Sequence, residues 1–182
     1  MNIVHFLLET FFFILVGAAL MRSWMNYLRI QMSVQPGRFV MAVTDWVVKP
    51  VRKVLPKPLL DSRLDWGSLM SAILLSIAFS GIVLSLWAPS TMVSPVAWLL
   101  AILLQAGKFL LMVVLRGLMI ILLIYAVLSW VQPQAPAMGV LHRFSEPLLR
   151  PIRKVVPAIG GVDLSVLILV ILLQVIMMAL NL

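Results

Sequence analysis

The sequence contains no cysteine and few charged residues, and both shortages limit what the protein can be. Without cysteine it has no disulfide framework, thiolate metal site, iron–sulfur cluster or covalent haem attachment. Of its 182 residues only 11% are charged, whereas 63% are hydrophobic. A soluble domain is about one quarter charged and about half apolar. The composition therefore excludes a water-soluble globule.

Sequence patterns of known catalytic sites are also missing. The chain has no G-x-S-x-G elbow, Walker A loop, dinucleotide fingerprint or H-E-x-x-H motif, and no module that reads nucleic-acid grooves. Its two histidines, His5 and His142, fall on opposite sides of the membrane in the topology predicted below. We therefore expect no catalytic residue, no metal site, no cofactor and no nucleic-acid partner, and we expect that the protein is not an enzyme.

Four apolar stretches are long enough to cross a bilayer, which takes about 20 residues of helix. They cover residues 3–21, 69–87, 96–131 and 164–182. The first is expected to be a retained helix rather than a signal peptide, because Arg22, its nearest basic residue, follows the apolar run. The pattern predicts an all-α polytopic membrane protein with four transmembrane helices.

The third stretch is longer than an upright span requires. Its length of about 36 residues corresponds to some 54 Å of helix, against a hydrocarbon core of about 30 Å. We expect residues 96–107 to lie along the outer interface or to extend above it, with the span itself starting near Phe109.

Basic residues are concentrated in two of the segments between these spans. Eight lie between the first and second spans and four between the third and fourth, which is 12 of the 14 Lys and Arg residues. The positive-inside rule places both segments in the cytoplasm. The sequence therefore predicts a multi-pass protein of the bacterial inner membrane with both termini in the periplasm.

A 13-residue motif occurs twice in the chain. It reads TDWVVKPVRKVLP at residues 44–56 and SEPLLRPIRKVVP at residues 145–157, and an aspartate precedes the following span each time, at Asp65 and Asp163. We divide the chain accordingly into a first repeat, residues 1–90, and a second repeat, residues 91–182. Both repeats start outside, so they are predicted to be parallel and related by a pseudo-two-fold axis along the membrane normal.

Each motif is expected to form two short amphipathic elements at the cytoplasmic leaflet. Proline at position 50 disfavours helical geometry at Lys49, so the chain should turn there and start a second short helix. The basic residues of the two motifs are candidate contacts for anionic lipid or a protein partner, unless they serve only to set topology. These candidates are Lys49, Arg52, Lys53, Arg150, Arg153 and Lys154.

The doubled motif, together with the PAIGGVD stretch at residues 157–163, resembles the YggT (YlmG-like) family. The first motif departs from the second, since residues 57–64 replace the short glycine turn and Trp46 stands where Pro147 is expected. The resemblance implies a role in osmotic tolerance, or, from plastid relatives, in cytochrome assembly or nucleoid distribution.

Two kinds of function stay open at this point. One is a non-enzymatic scaffold or assembly factor that binds membrane proteins on its basic cytoplasmic surface. The other is a small transporter or channel subunit for ions or osmolytes. Anionic lipids and a homo-oligomeric partner are expected in either case.

The second span carries a series of small residues four apart, at Ser68, Ala72, Ser76 and Ser80. Small residues at this spacing allow close helix approach. We expect this face to pack against a helix of the same chain or of another molecule in a homo-oligomer.

Charged residues inside the spans are costly to bury. Glu9 lies about two turns into the first span, and Arg116 lies about two turns beyond Lys108 in the third. We predict an intramembrane Glu9–Arg116 pair. In the alternative, Arg116 extends to the outer surface alone and Glu9 bonds His5, four residues back on the same helix face.

Exchanging the two charges tests this pair. We expect Glu9→Arg and Arg116→Glu each to lower accumulation of the protein in the membrane, because each places like charges together in a poorly solvated region. The double exchange should restore accumulation, measured by immunoblot of membrane fractions. Failure of the double variant to recover would count against the pair.

Overall fold

The computed structural model describes residues 2–32, 35–56, 64–87, 94–154 and 163–181. Within these ranges the chain forms six helices, which confirms the all-α prediction. The glycine turn at residues 157–162 and the departure at residues 57–63 lie outside the described residues. The helices are α1 Ile3–Tyr27, α2 Gly37–Val54, α3 Trp66–Trp87, α4 Pro95–Val131, α5 Pro136–Arg153 and α6 Leu164–Ala179.

Three of these helices are long and apolar enough to cross a membrane. They are α1, α3 and α4, with 25, 22 and 37 residues. The apolar helix α6 has 16 residues in the described part of the chain, which is shorter than the about 20 that a span usually needs. The protein is therefore a membrane protein, while the count of four spans stays a prediction.

Helix α4 continues without interruption from Pro95 to Val131. It does not break near Gly107, so residues 96–107, which were expected along or above the outer interface, belong to the same helix as the expected span. At 1.5 Å per residue, the helix is about 55 Å long.

The turn predicted at Lys49–Pro50 is wrong. Helix α2 runs through Pro50 as far as Val54, and α5 likewise contains Pro147 and Pro151. A proline inside a helix costs about 3 kcal/mol, because it removes a donor and crowds the carbonyl four residues earlier. Here Pro50 is exposed, and contacts on both sides of it, described below, hold α2 in place.

Residues 1–114 form the first of two compact units. In this unit α1, α2 and α3 pack against one another, most extensively α1 against α3. The small face of α3 is buried, which supports its packing within the chain. The hydroxyls of Ser71 and Ser76 donate to carbonyls four residues earlier, at 2.7 and 2.8 Å, so their polarity is met inside the helix.

Residues 115–182 form the second unit. Its core joins the carboxyl-terminal part of α4 to α5 and α6, through Leu115, Leu122, Tyr125, Leu149, Val166, Leu169 and Leu173. The repeats at residues 1–90 and 91–182, and the pseudo-two-fold axis between them, stay predictions.

Candidate functional site

Arg22 is a buried charge close to the end of α1. Its side chain is only 7% exposed. Nη1 donates to Thr44 Oγ1 at 2.9 Å and to Asp45 Oδ1 at 2.7 Å, both on α2. Nε lies 3.6 Å from Asp65 Oδ2. Two carboxylates therefore compensate a guanidinium that would be costly to bury alone.

Asp65 stands directly before α3 and joins that helix to α2. Its Oδ1 accepts from the Ser68 backbone N–H at 3.2 Å, as a capping side chain does. Its Oδ2 accepts from Ser68 Oγ at 2.6 Å and from Arg52 Nη2 at 2.5 Å. Arg22, Asp45, Arg52 and Asp65 form what we call the first ion-pair cluster, and they tie α1, α2 and α3 together.

Gly67 makes room for this cluster. A Cβ atom at this position would overlap Cγ of Arg52, because the aliphatic part of Arg52 crosses directly over the first turn of α3. A residue without a side chain is required there if the guanidinium is to reach Asp65.

Both aspartates of the first cluster are held in the charged form. Burial alone would raise the pKa of Asp65, but the hydrogen bonds from Ser68 and Arg52 and the charge of Arg52 outweigh it and lower the pKa. For Asp45, the hydrogen bond from Lys49 has the largest effect and lowers the pKa; burial opposes it, and Arg22 lowers it further. These carboxylates are therefore structural anions rather than proton donors at neutral pH.

Arg153 occupies the corresponding place in the second unit. Its Nη1 donates to Glu146 Oε2 at 2.6 Å, while Nη2 and Nε reach Asp163 Oδ2 at 2.6 and 2.9 Å. Nη2 also lies 3.2 Å from the Tyr125 hydroxyl. These four residues form the second ion-pair cluster, which ties α4, α5 and α6 together. Burial would lower the pKa of Arg153, but its hydrogen bonds to Asp163 and Tyr125 raise it.

The two clusters use the same positions of the repeated motif. Arg52 and Arg153 are equivalent, and each binds the aspartate that precedes the next apolar helix. Asp163 also accepts from a backbone N–H of α6, that of Ser165, at 3.1 Å. Each copy of the motif therefore attaches its amphipathic helix to the start of the apolar helix that follows.

The two clusters differ at the position of Arg22, which has no arginine counterpart in the second unit. Alignment on the Ser-Trp pairs at residues 23–24 and 129–130 places Leu128 at its equivalent position. Ser145, the counterpart of Thr44, is buried, and its hydroxyl has no hydrogen-bond partner among the described residues. One arginine thus serves two carboxylates in the second cluster, with His142 Nε2 lying 3.5 Å from Glu146 Oε2.

The six candidate basic contacts fall into two groups. Arg52 and Arg153 are directed inward to carboxylates, whereas the other four are exposed, although Lys49 Nζ also lies 2.7 Å from Asp45 Oδ2. The role of the exposed group in binding lipid or a partner stays a prediction. The exposed residues are Lys49, Lys53, Arg150 and Lys154.

The predicted pair of Glu9 and Arg116 also stays a prediction, because the two residues belong to different units. Both are partly buried. His5 Nε2 lies 3.8 Å from Glu9 Oε2, so the alternative neighbour is in place one helical turn away.

Two participants were missed from the sequence. Arg22 was interpreted only as a topology signal, and Tyr125 as part of an apolar run. No local sequence pattern indicates that Arg22 and Tyr125 take part in the clusters. The pairing of Arg52 with Asp65 did leave a signal, because the same arginine and the same aspartate recur in both halves of the chain.

The clusters fix helices and offer little for chemistry. Among the described residues, no group of three or more His, Asp or Glu side chains is placed to hold a metal ion. A shallow depression in the first unit has a largely apolar lining, with Ser76 as its one hydroxyl. Its other lining residues are Ile73, Ile77, Leu103, Ala106, Gly107 and Leu110.

Comparison with known proteins agrees with the repeated motif. The CCB3/YggT family profile matches residues 1–86 and 104–182, which is nearly the whole chain. The chain belongs to the CCB3/YggT family. The YggT protein of Escherichia coli (strain K12) is 35% identical over 98% of this chain and 89% of its own length. A protein in the proC 3′ region of Vibrio alginolyticus is 35% identical over 96% and 91%.

A more distant relative from Haemophilus influenzae is 27% identical over 85% of this chain and 78% of its own length. No solved structure matches the chain significantly. The family and these relatives are described without an enzymatic activity. The division of the chain into two parallel repeats stays a prediction.

Removing Arg52 should destabilise the first unit. Arg52→Gln leaves the buried Asp65 without its closest cation, and we expect a loss of about 1–3 kcal/mol, since the arginine is partly exposed and its pair is partly screened. This loss of stability is measured by thermal unfolding in detergent, with the fraction of protein that stays monodisperse as the readout. Lys53→Gln removes the adjacent exposed charge and should have little effect. Equal losses from both variants would show that Arg52 is not specially placed.

Acidification should weaken the same cluster. The folded state lowers the pKa of Asp65 below its ordinary value of 3.8. The stability that such a carboxylate contributes is fully present above the ordinary pKa, and it is lost as the pH falls through the lower pKa of the folded state. We expect the melting temperature to be nearly level from about pH 7 to about pH 5 and to drop below about pH 4. Asp65→Asn should melt lower at neutral pH and show a smaller drop. An unchanged pH profile in Asp65→Asn would contradict this assignment.

Proposed function

We propose that this chain is a non-enzymatic scaffold of the bacterial inner membrane, which holds a partner protein with an acidic surface at the cytoplasmic ends of its spans. The positive-inside rule supports this orientation, since the helices with the exposed basic residues lie in the two predicted cytoplasmic segments. The resemblance to YggT proteins supports a setting in osmotic tolerance.

The ion pairing of the acidic residues carries this proposal. Asp45, Asp65, Glu146 and Asp163 all bind cations within their own unit. The exposed surface of the amphipathic helices is consequently left with a positive charge. Such a surface attracts acidic partners and sets the direction of their approach.

Helix α5 is the better of the two helices for binding a protein. Among its described side chains, the exposed ones are small, polar or basic, and the large apolar side chains lie partly or fully inside. A face of this kind suits a polar and reversible contact. The second ion-pair cluster holds α5 against α4 and α6, so the face is presented rigidly. Its exposed basic residues are Arg143 and Arg150, with Lys154 directly after the helix.

Binding through exposed charges also responds to ionic strength. The Debye length is about 8 Å at physiological salt and about 3 Å at 1 M. A rise in cytoplasmic ion concentration after osmotic upshift would therefore weaken the contact. This property connects a basic docking surface to osmotic tolerance without any transport by the protein itself.

Site-specific photocrosslinking in native membranes tests the docking face. We expect a crosslinker at Pro147, an exposed position of α5 between Arg143 and Arg150, to give a discrete adduct with a protein that mass spectrometry identifies. Arg150→Gln together with Lys154→Gln should reduce the adduct by about tenfold or more, and binding rebuilt from the two purified proteins should weaken with added salt.

Matched variants separate charge from fold. Arg150→Lys together with Lys154→Arg keeps the charge of α5 and should keep the adduct. Lys49→Gln together with Lys53→Gln removes two charges from α2 and should leave the amount of adduct unchanged. The scaffold proposal is wrong if no variant affects the adduct. It is also wrong if the purified protein alone conducts ions or osmolytes in liposomes in an Arg116-dependent way, which would favour the transporter alternative.

A further inference from the structure

Helix α2 exposes an apolar edge that no described part of the chain covers. Phe39, Trp46 and Val54 are 59%, 61% and 86% exposed. Phe39 and Trp46 are seven residues apart, and Pro50 and Val54 follow at intervals of four. This spacing places them along one side of the helix. Large apolar side chains aligned in this way usually meet another surface rather than water.

The basic residues of α2 lie along the neighbouring edge. Arg38, Lys49 and Lys53 are all exposed and follow one another at intervals of eleven and four residues. The outward half of α2 is therefore divided lengthwise into an apolar strip and a cationic strip. This division is typical of helices that lie in the plane of a membrane interface.

The opposite side of α2 fixes how deep the helix lies. Its buried residues Val40, Thr44 and Val48 face the rest of the first unit. The first ion-pair cluster attaches it to Arg22, near the end of α1, and to Asp65, directly before α3. Because α1 ends and α3 begins at this level, α2 lies beside the ends of the two apolar helices. Helices that cross a bilayer leave its hydrocarbon at their ends.

Among its described side chains, the second amphipathic helix shows no such apolar edge. Trp46 is replaced by the exposed Pro147, and Phe39 by the half-buried Val140. The counterpart of Val54 lies outside the described residues. Helix α5 keeps the two basic positions, Arg150 and Lys154, but lacks exposed aromatic side chains.

We propose that α2 is an interfacial membrane anchor, with Phe39, Trp46 and Val54 inserted at the boundary between headgroups and acyl chains and with Lys49 and Lys53 on the phosphates of anionic lipids. Helix α5, in contrast, stays in water. Aromatic rings favour this boundary region, and the lysine stems allow the ammonium groups to reach the phosphates. The proposal is independent of the docking role of α5.

The absence of cysteine makes a direct test simple, because one introduced cysteine is the only labelling site. Trp46→Cys and Phe39→Cys are labelled separately with a polarity-sensitive fluorophore, and Pro147→Cys on α5 is the matched control. The full chain is reconstituted into phosphatidylcholine vesicles with and without phosphatidylglycerol. A quencher on the lipid near the headgroup and iodide in the water then report the position of each label.

We expect the labels at positions 39 and 46 to be quenched by the lipid-attached quencher at least about twofold more than the label at 147, and by iodide at least about twofold less. Lys49→Gln with Lys53→Gln should remove the increase in lipid quenching that phosphatidylglycerol produces. Unchanged thermal unfolding of each variant in detergent shows that the fold is kept.

Three outcomes would overturn the proposal. Iodide quenching at positions 39 and 46 equal to that at 147 would place α2 in water. Protection of these labels from both quenchers would mean that a protein surface, such as another molecule of this chain, covers the apolar edge. An anionic-lipid effect that persists without Lys49 and Lys53 would show that these residues do not bind the headgroups.

Discussion

A guanidinium from an amphipathic helix that binds the carboxylate preceding the next apolar helix is the contact on which both units depend. Arg52 makes it with Asp65 and Arg153 makes it with Asp163. Arginine suits this position because its planar group can bind one carboxylate through two nitrogens and still bind a second acid. Once the pair forms, the rotation and depth of the amphipathic helix are set, and so is the choice of residues that face outward.

The same internal contact supports two different outer surfaces. The first cluster recruits Arg22 from α1, where the second has Leu128 and uses Tyr125 instead. Outside, Trp46 is replaced by Pro147. Because the residues of the two ion-pair clusters hold the helices together, the residues on the outer side of each amphipathic helix are free to differ. The outer side of the first motif has an exposed apolar edge, whereas the described outer side of the second is polar.

Much of the fold was accessible from the sequence, because long apolar runs and a small-residue face have strong periodic signals. The helices α1, α3 and α4 appear close to the predicted stretches. The continuous helix through Pro50 could not be predicted from the sequence. The conformational preference of the residue before a proline is weaker than the ion pairs of Asp45 and Arg52, which hold α2 on either side of Pro50. The burial of Arg22 was also hidden, because only the folded chain brings it to residues 23 and 43 positions away.

Helix α4 belongs to both units, and this limits where the chain can be divided. Its first part lies in the first unit, where the ring of Phe109 packs against that of Phe79 with centroids 4.1 Å apart. A half-length polypeptide that ended near residue 90 would lack this piece of its own interior.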